Sequence, residues 1–424
     1  MTVLMVESWL HSTGLMLPPL LARRGLDYVL LTRDPALYTL PDGTAHPVLD
    51  GAAEVVVTET NDDDAVTAAA RDVAADRAAA GTPVRGVLTT CDYYLPTVGV
   101  VAEALGLPGP SAAAMRTATR KHLVRRALAV AGVPDVAHAV AATWADARAA
   151  AADLGYPLVV KPVDLNSGTA VRRVEDEAGL AAAFAAATGP ERNSRGQRLE
   201  RLALVERVLD GPECSIEAVT RDGVTRVVGI TAKSVTELDG AYVESGHLFP
   251  APLDDATRAA VERHVVAALD AVGYTHGVSH TEVRLTASGP RVVELNPRQG
   301  GGFIFDLVRL VTGLDPLGAV VDLALGHAPV AHEPPRAASA AVAFLLAADD
   351  GELRAVPGGT DLADDPRVIA HRLPAPGRVV RPADNNDRLG HVMTADPHGG
   401  AAKEWADDVV ASLRLDVAAE ALAG

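Results

Sequence analysis

HTEVRLTASGPRVVELNPRQGGG, from His280 to Gly302, decides how the chain is interpreted, because acids, an amide, arginines and a glycine run stand close together in it. The runs HTEVRL and RVVELN alternate in polarity, and TASGP between them has the residues of a hairpin loop. We therefore predict two paired antiparallel strands. A central loop places Glu282 opposite Glu294 and His280 opposite Asn296.

Two carboxylates that face each other in this way repel unless a cation neutralises them, because their Cβ atoms lie only about 5 Å apart. Oxygen ligands favour a hard ion, so Glu282, Glu294 and Asn296 are candidate ligands for Mg²⁺ or Mn²⁺. The alternative is an exposed ribbon with a solvated polar face, on which Arg284 offsets one acid. The Glu-x-Asn-x-Arg run followed by three glycines favours the metal site.

Composition limits the class of protein. The 424 residues, 48% of them hydrophobic, predict a few folded domains with a large core. The net charge of −17 argues against a nucleic-acid partner or an anionic membrane surface. Cys91 and Cys214 are too few for a disulfide framework, and neither a leader nor a membrane-length apolar run is evident. We expect a cytoplasmic protein that acts on small molecules.

The first segment alternates strands and helices. Buried-strand patterns at Thr2 to Glu7, Asp27 to Arg33 and Val84 to Thr90, with helices between them, predict a small open α/β domain over residues 1–108. The first turn lacks the G-x-G-x-x-G spacing, so a dinucleotide site is not expected. The Pro/Gly connection from Leu105 to Ser111 is the first predicted boundary.

A basic helix and a strand lysine come next. Ser111 is expected to cap a helix that runs to about Ala131 and carries Lys121. In YPLVVKPVDLNSGTAVRRV (Tyr156 to Val174), Lys161 lies in an apolar strand and a Gly/Ser loop follows. A lysine and such a loop can bind phosphate, although no Walker A sequence is present. The alternatives are a solvated helix face and a hairpin with a snorkelling lysine.

Two acids bracket a turn in LALVERVLDGPECSIEAVT, with strands predicted on both sides. Glu206 precedes the turn and Glu213 follows it. Carboxylates in these positions can accept from an adenine amine or from ribose hydroxyls, and the backbone from Glu206 to Leu209 offers edge hydrogen bonds. Ordinary surface acids are the alternative.

In this order, the basic helix, the strand lysine with its loop, the ERVLDGPE turn and VVELNPRQGG resemble the ATP-grasp superfamily of ADP-forming carboxylate–amine ligases. The resemblance spans roughly Pro108 to Gly326. It implies an α/β and α+β chain with a pre-ATP-grasp α/β domain (1–108), an ATP-grasp domain (109–330) and a biotin-carboxylase-like C-terminal domain (331–424). The lid subdomain is expected at about 135–205.

The resemblance also implies residue roles. Arg298 and Lys161 are implied as the catalytic pair, with Arg298 steadying the acyl phosphate. Glu282, Glu294 and Asn296 are implied as ligands of Mg²⁺ or Mn²⁺. The residues implied for ATP binding are Lys121, Lys161, Ser167, Gly168, Glu206, Val208, Leu209 and Glu213, of which Ser167 and Gly168 form a flap and Glu213 accepts from ribose.

GAYVESGHLFPAPL, between the turn and the ribbon, is similar to a substrate loop of the L-amino-acid ligases that make dipeptides. The alternative is a mobile connector in which His247 only caps another group. Gly302 is expected to leave room that a bulkier residue would block. The implied substrate residues are Glu244, His247, Arg298, Gly300 and Gly301.

The remainder carries structural patterns only. Phe303 to Gly326 is predicted to be helical, and His327 to Arg336 is a linker. A strand within Ala337 to Ala347 and a last helix from about Gly399 to Leu413 follow. No catalytic motif stands out after the linker.

We expect an ATP-dependent ligase that joins an amino acid carboxylate to an amine through an acyl phosphate, a reaction that depends on charge neutralisation. An ATP-grasp carboxylase or purine-pathway ligase, and a non-catalytic nucleotide-binding module, are the alternatives. Asn296 is followed by Pro-Arg-Gln-Gly-Gly-Gly, which argues against a biotin carboxylase. The expected partners are small-molecule carboxylates and amines, and a homodimer is left open.

Overall fold

The computed structural model describes residues 1–40 and 43–418. Its N-terminal unit contains β1 (Thr2–Val6), α1 (Thr13–Arg23), β2 (Asp27–Thr32), α2 (Pro47–Asp50), β3 (Glu54–Val57), α3 (Asp63–Ala79), β4 (Val84–Leu88) and α4 (Leu95–Leu105). The strands pair in parallel in the order β3-β2-β1-β4. The central strand β1 is buried along its whole length, as a parallel sheet between helices requires. The segment therefore forms the small α/β unit expected from its sequence.

Two helices follow, α5 (Ala112–Ala118) and α6 (Lys121–Ala131). The single helix predicted from Ser111 to about Ala131 is therefore wrong, although Ser111 caps α5 as predicted. The backbone of Arg120 is extended, and the N–H of Lys121 donates to the carbonyl of Val163 at 2.9 Å. The N–H of Lys121 thus donates to a carbonyl that is distant in the sequence and not to a carbonyl of the preceding helix. Lys121 therefore begins a new helix.

The next unit, residues 138–207, is referred to as the lid. It contains β5 (His138–Ala141), α7 (Trp144–Leu154), β6 (Leu158–Pro162), β7 (Arg172–Val174), α8 (Glu177–Thr188) and β8 (Ala203–Arg207). The strands form an antiparallel sheet in the order β5-β8-β6-β7. Alanines of α7 and α8 pack on this sheet, which lets the helices approach closely. The strand, loop and strand predicted around Lys161 are confirmed as β6 and β7.

The rest of the chain contains a large central sheet, a small second sheet and the helices between their strands. Its elements are β9 (Glu213–Arg221), β10 (Val224–Leu238), β11 (Ala241–Phe249), α9 (Asp255–Ala271), β12 (Gly277–Thr286), β13 (Gly289–Asn296), α10 (Ile304–Thr312), α11 (Pro316–Ala324), β14 (Ser339–Leu345), β15 (Gly351–Ala355), β16 (Val368–Arg372), β17 (Gly377–Val379), β18 (Gly390–Asp396), α12 (Ala402–Ser412) and β19 (Asp416–Ala418). Eight strands pair in the order β13-β12-β9-β10-β11-β14-β18-β16, and β17-β15-β19 form a small sheet. The sheet therefore continues from the predicted ATP-grasp segment into the C-terminal segment.

Two connections differ from the sequence predictions. The strands around the ERVLDGPE turn are present as β8 and β9, but they lie in different sheets, so the turn links the lid to the central sheet. The expected substrate loop from Gly240 to Leu253 is mostly strand β11, paired with β10 and β14. Glu244 and His247 therefore lie on a strand of the central sheet.

The helix predicted from Phe303 to Gly326 is also wrong in one respect, because α10 and α11 are separate. Gly313 ends α10 in the left-handed conformation, with φ of +74°. A Cβ there would lie 1.9 Å from the carbonyl oxygen of Glu333, so only glycine fits the approach of the linker. Asp315 then caps α11.

The predicted register of the ribbon is confirmed. Strand β12 pairs with β13 so that His280 lies opposite Asn296 and Glu282 opposite Glu294. A shift of register follows directly after Glu282. Because side chains alternate between the faces of a strand, this register places both acids on one face of the sheet.

Glu7, at the end of β1, is fully buried and organises the N-terminal unit. One carboxylate oxygen accepts from the N–H of Arg33 at 2.9 Å and from the hydroxyl of Thr60 at 2.6 Å. The other accepts from the hydroxyls of Thr32 and Tyr38. Four donors thus converge on one carboxylate, three of them from the end of β2 and the connection that follows it and one from the connection after β3.

Replacing this acid by its amide tests that arrangement. In Glu7→Gln an NH₂ group would face donors, and the N–H of Arg33 cannot turn into an acceptor, so we expect a loss of about 2–3 kcal/mol in the free energy of unfolding. Urea unfolding measures it. The control is Glu59→Gln on the exposed surface, which should change stability by less than about 0.5 kcal/mol; equal effects would contradict the role of Glu7.

Candidate active site

A cleft of about 260 Å³ lies between the lid sheet and the central sheet, and it is referred to as the central cleft. Its lining comes from the lid, the central sheet, α6 and the C-terminal segment. Among the predicted site residues, Val208, His247 and Gly300 do not line the central cleft, and Gly300 lines a neighbouring cavity instead. Those that line the central cleft are Lys121, Lys161, Ser167, Gly168, Glu206, Leu209, Glu213, Glu244, Glu282, Glu294, Asn296, Arg298 and Gly301.

Two lysines approach one wall of the cleft. Lys121, at the start of α6, contacts the carboxylate of Glu294 at 2.8 Å. Lys161, buried on β6, contacts Glu206 at 2.7 Å and donates to the carbonyl of Val293 at 3.2 Å. Burial lowers the pKa of Lys161, and Glu206 opposes that shift. Both ammonium groups therefore contact neighbouring residues of β13.

The carboxylate of Glu206 belongs to a buried ion cluster. It contacts Nε of Arg125 at 2.6 Å and the ammonium of Lys161. Arg125 also contacts Asp135 at 2.8 Å and donates to the carbonyl of Val292. Although burial acts to raise it, the pKa of Glu206 is lowered to about 2 by Arg125 and Lys161. This carboxylate is therefore occupied, and the expectation that it accepts from adenine is not supported by its contacts.

Arg125 is a site residue that the sequence analysis did not identify. It lies on the predicted basic helix, but its side chain is only 2% exposed. The signal was its position between Val124 and Leu128, the buried residues of α6. An arginine on the apolar face of a helix needs acidic partners, and these lie far away in the sequence.

The loop between β6 and β7 forms part of the lining of the cleft. Ser167 and Gly168 are consecutive left-handed residues, with φ of +58° and +76°. The hydroxyl of Tyr93, from the N-terminal unit, donates to Oδ1 of Asn166 at 3.2 Å. A turn of this kind presents backbone N–H groups that can bind an anion.

Lys233 is the centre of the charge network and was also missed. Its ammonium, 1% exposed, contacts Glu213 at 3.0 Å, Glu244 at 2.9 Å and Glu282 at 2.5 Å. Burial acts to lower its pKa, but the three carboxylates raise it well above the ordinary value. The signal was a lysine within the strand pattern of β10, and its three partners stand on three other strands.

The ribbon acids are each neutralised by a lysine. Glu282 contacts Lys233, and Glu294 contacts Lys121. Within residues 1–40 and 43–418, no group of three or more His, Cys, Asp and Glu side chains has the arrangement of a metal site. The predicted set has only two acids, with the amide of Asn296 as the third ligand. Such oxygen donors fit a hard ion that also takes ligands from a polyphosphate.

His280 holds the first ribbon acid in place. Its Nδ1 contacts the Glu217 carboxylate at 2.9 Å, and its Nε2 lies 3.4 Å from Glu282. The hydroxyl of Ser215 donates to Glu217 at 2.8 Å. Although burial acts to lower it, Glu217 and Glu282 raise the pKa of His280 to about 9. The two carboxylates therefore favour the cationic form of His280.

Arg298 is fixed by a residue of the N-terminal unit. Its Nε donates to Oδ2 of Asp92 at 2.6 Å, and its Nη2 lies 3.5 Å from Oδ1 of Asn296. Burial acts to lower its pKa, but Asp92 and nearby acids raise it. The guanidinium is thus oriented towards the end of the ribbon, and Asp92 is a third residue that the sequence did not reveal.

Glu244 and His247 lie on β11 at the end of the cleft nearest the C-terminal segment. Glu244 contacts Arg388 at 3.1 Å, and its N–H donates to Asn385 at 2.9 Å. Nε2 of the fully buried His247 lies 3.3 Å from Glu244, but neither ring nitrogen has a hydrogen bond of good geometry. Asn385 and Arg388 line the cleft, so the C-terminal segment, in which no catalytic motif stands out, contributes side chains to its wall.

Comparison with protein families gives three consecutive matches. Residues 22–109 match the ATP-grasp N-terminal domain, residues 154–306 the ATP-grasp domain, and residues 343–418 the L-amino acid ligase C-terminal domain 2. An uncharacterized protein of Sinorhizobium fredii is 30% identical over 90% of this chain and 76% of its own length. The chain belongs to the ATP-grasp superfamily. The predicted resemblance to its L-amino-acid ligases is confirmed.

Named relatives of this ATP-grasp chain are ligases and synthases. Carnosine synthase 1 of Gallus gallus is 29% identical over 64% of the chain, and alanine–anticapsin ligase of Bacillus subtilis is 24% identical over 56%. The chain spans only 30% and 53% of these two proteins. The comparisons confirm the predicted enzyme class, an ATP-dependent ligase that forms C–N bonds.

Comparison with solved structures finds similar folds among ligases and synthetases. The crystal structure of an L-amino acid ligase from Bacillus licheniformis superposes with a TM-score of 0.75, at 22% identity, over 98% of this chain and 99% of that one. Phosphoribosylglycinamide synthetase from Anaerococcus prevotii gives a TM-score of 0.68. The predicted ATP-grasp fold is confirmed. No helix within residues 1–40 and 43–418 is sufficiently long and apolar to cross a lipid bilayer.

Removing the central lysine should expose the repulsion between the acids it holds. In Lys233→Met three carboxylates lose a buried counter-ion, so we expect a loss of about 3–5 kcal/mol in the free energy of unfolding. Urea unfolding measures the change. The control is Lys403→Met, which breaks an i,i+4 pair with Asp407 on α12 and should cost less than about 0.5 kcal/mol. Similar losses in both variants would contradict the central role of Lys233.

Proposed function

We propose that the chain is an ADP-forming ligase that joins the carboxylate of a free amino acid to an amine through an acyl phosphate. The observation that carries the proposal is the convergence, in one cleft, of two lysines, two facing acids and Arg298. Transfer of the γ-phosphoryl group to a carboxylate needs such groups because negative charge accumulates on both reactants. No nucleophilic side chain is required.

ATP would lie between the lid and the central sheet. Lys121 and Lys161 would contact its phosphates, and the loop at Ser167 and Gly168 would cover them. The backbone of residues 206–209 would face the adenine, which agrees with a Glu206 carboxylate that is already paired. This arrangement keeps both lysines within reach of the ribbon acids, as the contact between Lys121 and Glu294 supports.

Glu213 remains the proposed acceptor for ribose hydroxyls. Its carboxylate accepts from Nε of Arg284 at 2.9 Å and contacts Lys233 at 3.0 Å. These two cations fix its orientation. A carboxylate can accept further hydrogen bonds on both oxygens, so the two cations leave it able to bind a diol.

Mg²⁺, or Mn²⁺, would be held by Glu282, Glu294 and Asn296 together with phosphate oxygens. When bound, the ion supplies positive charge to the β- and γ-phosphates. Lys233 and His280 orient Glu282, and both favour its ionised form. Although burial acts to raise the pKa of Glu282, these two neighbours lower it.

The amino acid carboxylate would attack the γ-phosphorus, and ADP would leave with the bonding electrons. The acyl phosphate would lie beside Arg298, whose guanidinium Asp92 holds in position at 2.6 Å. Glu244 would bind the ammonium of the same amino acid, and Gly300 and Gly301 would allow its backbone close approach. Any side chain at position 302 would meet His247, because a Cβ there lies 2.9 Å from its Nε2.

The alternatives are less well supported. Carboxylases and purine-pathway synthetases share the fold at low sequence identity, as the 16% match to phosphoribosylglycinamide synthetase shows. The C-terminal match to an L-amino acid ligase domain favours an amino acid substrate. A non-catalytic binding module has no need for both ribbon acids and Arg298. Because the reaction consumes ATP, we also propose a cytoplasmic location.

The proposed function is tested by measuring ADP and phosphate release with pools of amino acids, and amide formation by mass spectrometry. Release of ADP with an equal amount of amide supports the ligase. ADP release that depends on bicarbonate would support a carboxylase instead. Tight ATP binding without turnover would contradict both enzymes and support a binding module.

Glu294→Gln tests the ribbon acids. Loss of one charged ligand should reduce phosphate release by at least about 10³-fold, because charge stabilisation of phosphoryl transfer is lost. The fold should persist, since Glu294 is only partly buried. Glu352→Gln, on an exposed strand position, is the control. Unchanged turnover in Glu294→Gln would remove the metal assignment.

Glu244→Gln tests recognition of the amino acid. We expect the KM for the amino acid to rise by about 10-fold or more, with the KM for ATP nearly unchanged, because one charge pair with the ammonium is lost. The matched substrate is the same carboxylic acid without its amino group, for which wild type and variant should differ little. An equal effect on both substrates would contradict the contact with the ammonium.

A further inference from the structure

A second cavity, of about 820 Å³, opens beside the central cleft and is referred to as the interdomain chamber. Both cavities are lined by Asn166, Ser167, Arg298, Gly301 and Gly302. The chamber therefore meets the cleft at the residues proposed to hold the acyl phosphate. A molecule in the chamber would therefore lie next to that group.

The walls of the chamber come from different parts of the fold. Trp9 and Leu37 belong to the N-terminal unit, and Phe305 belongs to α10 beside the glycine run. The remaining wall is a turn of the lid between α8 and β8, residues 192–199, which is referred to as the lid hairpin. Movement of the lid away from the N-terminal unit would thus open the chamber.

The lid hairpin is rigid in itself. Arg192 and Arg198 form an antiparallel bridge, and the N–H of Asn193 donates to the carbonyl of Gln197 at 3.0 Å. Oδ1 of Asn193 accepts from the N–H groups of Arg195 at 2.9 Å and Gln197 at 3.1 Å. The turn therefore presents the side chain of Arg195 in one direction.

Arg195 inserts into the N-terminal unit. It is 4% exposed, and its guanidinium carbon lies 5.3 Å from the ring centre of Trp9 and 5.7 Å from that of Tyr38. Its Nη2 donates to the carbonyl of Ser8. A cation between two aromatic rings gains attraction from both and is shielded from water. The contact joins two units that are more than 180 residues apart along the chain.

Two further hydrogen bonds surround this insertion. The side-chain amide of Asn61 donates to the carbonyl of Arg195 at 3.1 Å. The side-chain amide of Gln197 donates to the carbonyl of Tyr93 at 3.1 Å. The hairpin is therefore docked at its tip, and Arg195 is the only member of the docked set that is inserted between aromatic rings.

We propose that Arg195 docks the lid hairpin on the N-terminal unit and thereby completes the chamber that binds the amine substrate. It is a positioning residue, because it acts through the wall that it holds in place. The proposal rests on the proposed ligase function. Since Trp9, Leu37 and Phe305 line the chamber, the amine substrate carries an apolar side chain larger than a methyl group.

The chemistry makes a closed chamber necessary. The amine nitrogen attacks the carbonyl carbon of the acyl phosphate, the C–N bond forms, and the C–O bond to phosphate breaks. Phosphate leaves with the bonding electrons, and the nitrogen loses a proton to solvent or phosphate. Water can attack the same carbon and release the free acid, so a chamber that stays open consumes ATP without forming amide.

Arg195→Ala should separate these two outcomes. We expect amide formed per ADP to fall at least about threefold, and the KM for a leucine or phenylalanine amine donor to rise about tenfold, with the KM for ATP changed less than about twofold. Arg195→Lys retains a donor but loses the planar stacking, so it should recover part of the coupling. Arg198→Ala, exposed on the same hairpin, is the matched control and should behave as wild type.

Wild-type coupling and amine KM in Arg195→Ala would overturn the proposal. So would equal loss in Arg195→Ala and Arg198→Ala. Hydrogen exchange of residues 192–199 with a non-hydrolysable ATP analogue tests docking without turnover: the hairpin should exchange at least about tenfold faster in Arg195→Ala than in wild type. Equal exchange would also overturn the proposal, whereas absence of ADP release from wild type with every amino acid would overturn the ligase function alone.

Discussion

The ammonium group of Lys233 holds the acids of the central sheet together. Three carboxylates from β9, β11 and β12 contact it at 3.0, 2.9 and 2.5 Å, and its side chain is almost completely buried. In a medium of low polarity, neither the lysine nor the acids could remain charged alone. The acids proposed to bind ribose, an ammonium group and a metal ion thus share one counter-ion, and their positions are coupled.

A second buried ion cluster joins the lid to the central sheet. Arg125 and Lys161 share Glu206, and both donate to carbonyl groups of β13. The lid sheet and the central sheet are therefore joined by charged hydrogen bonds at the wall of the cleft. Since β8 and β9 lie on either side of the connecting turn, this cluster is placed where the two sheets meet.

Residues far apart in the chain complete the site. Asp92 of the N-terminal unit orients Arg298, and Arg388 of the C-terminal segment contacts Glu244. Each adds an ion pair to a side chain of the ATP-grasp segment. The three matched family segments thus all contribute to the candidate site, in which the outer two contact side chains of the middle one.

The sequence by itself determined the ribbon and the family. Alternation with a period of two residues fixes which side chains share a face, so Glu282 and Glu294 could be paired from the pattern and the loop alone. The parallel unit at the start of the chain followed from its buried strands. The order of the motifs along the chain was enough to indicate the ATP-grasp resemblance, because each motif lies within a few residues.

Only the tertiary structure decided which charges neutralise each other. The helix break at Arg120 depends on the carbonyl of Val163, and the pairing of Glu206 with Arg125 depends on how α6 packs against β8. Arg388 and Glu244 are separated by 144 residues. A sequence pattern reports the preferences of near neighbours, whereas the charge of a buried group is set by whatever the fold brings to it.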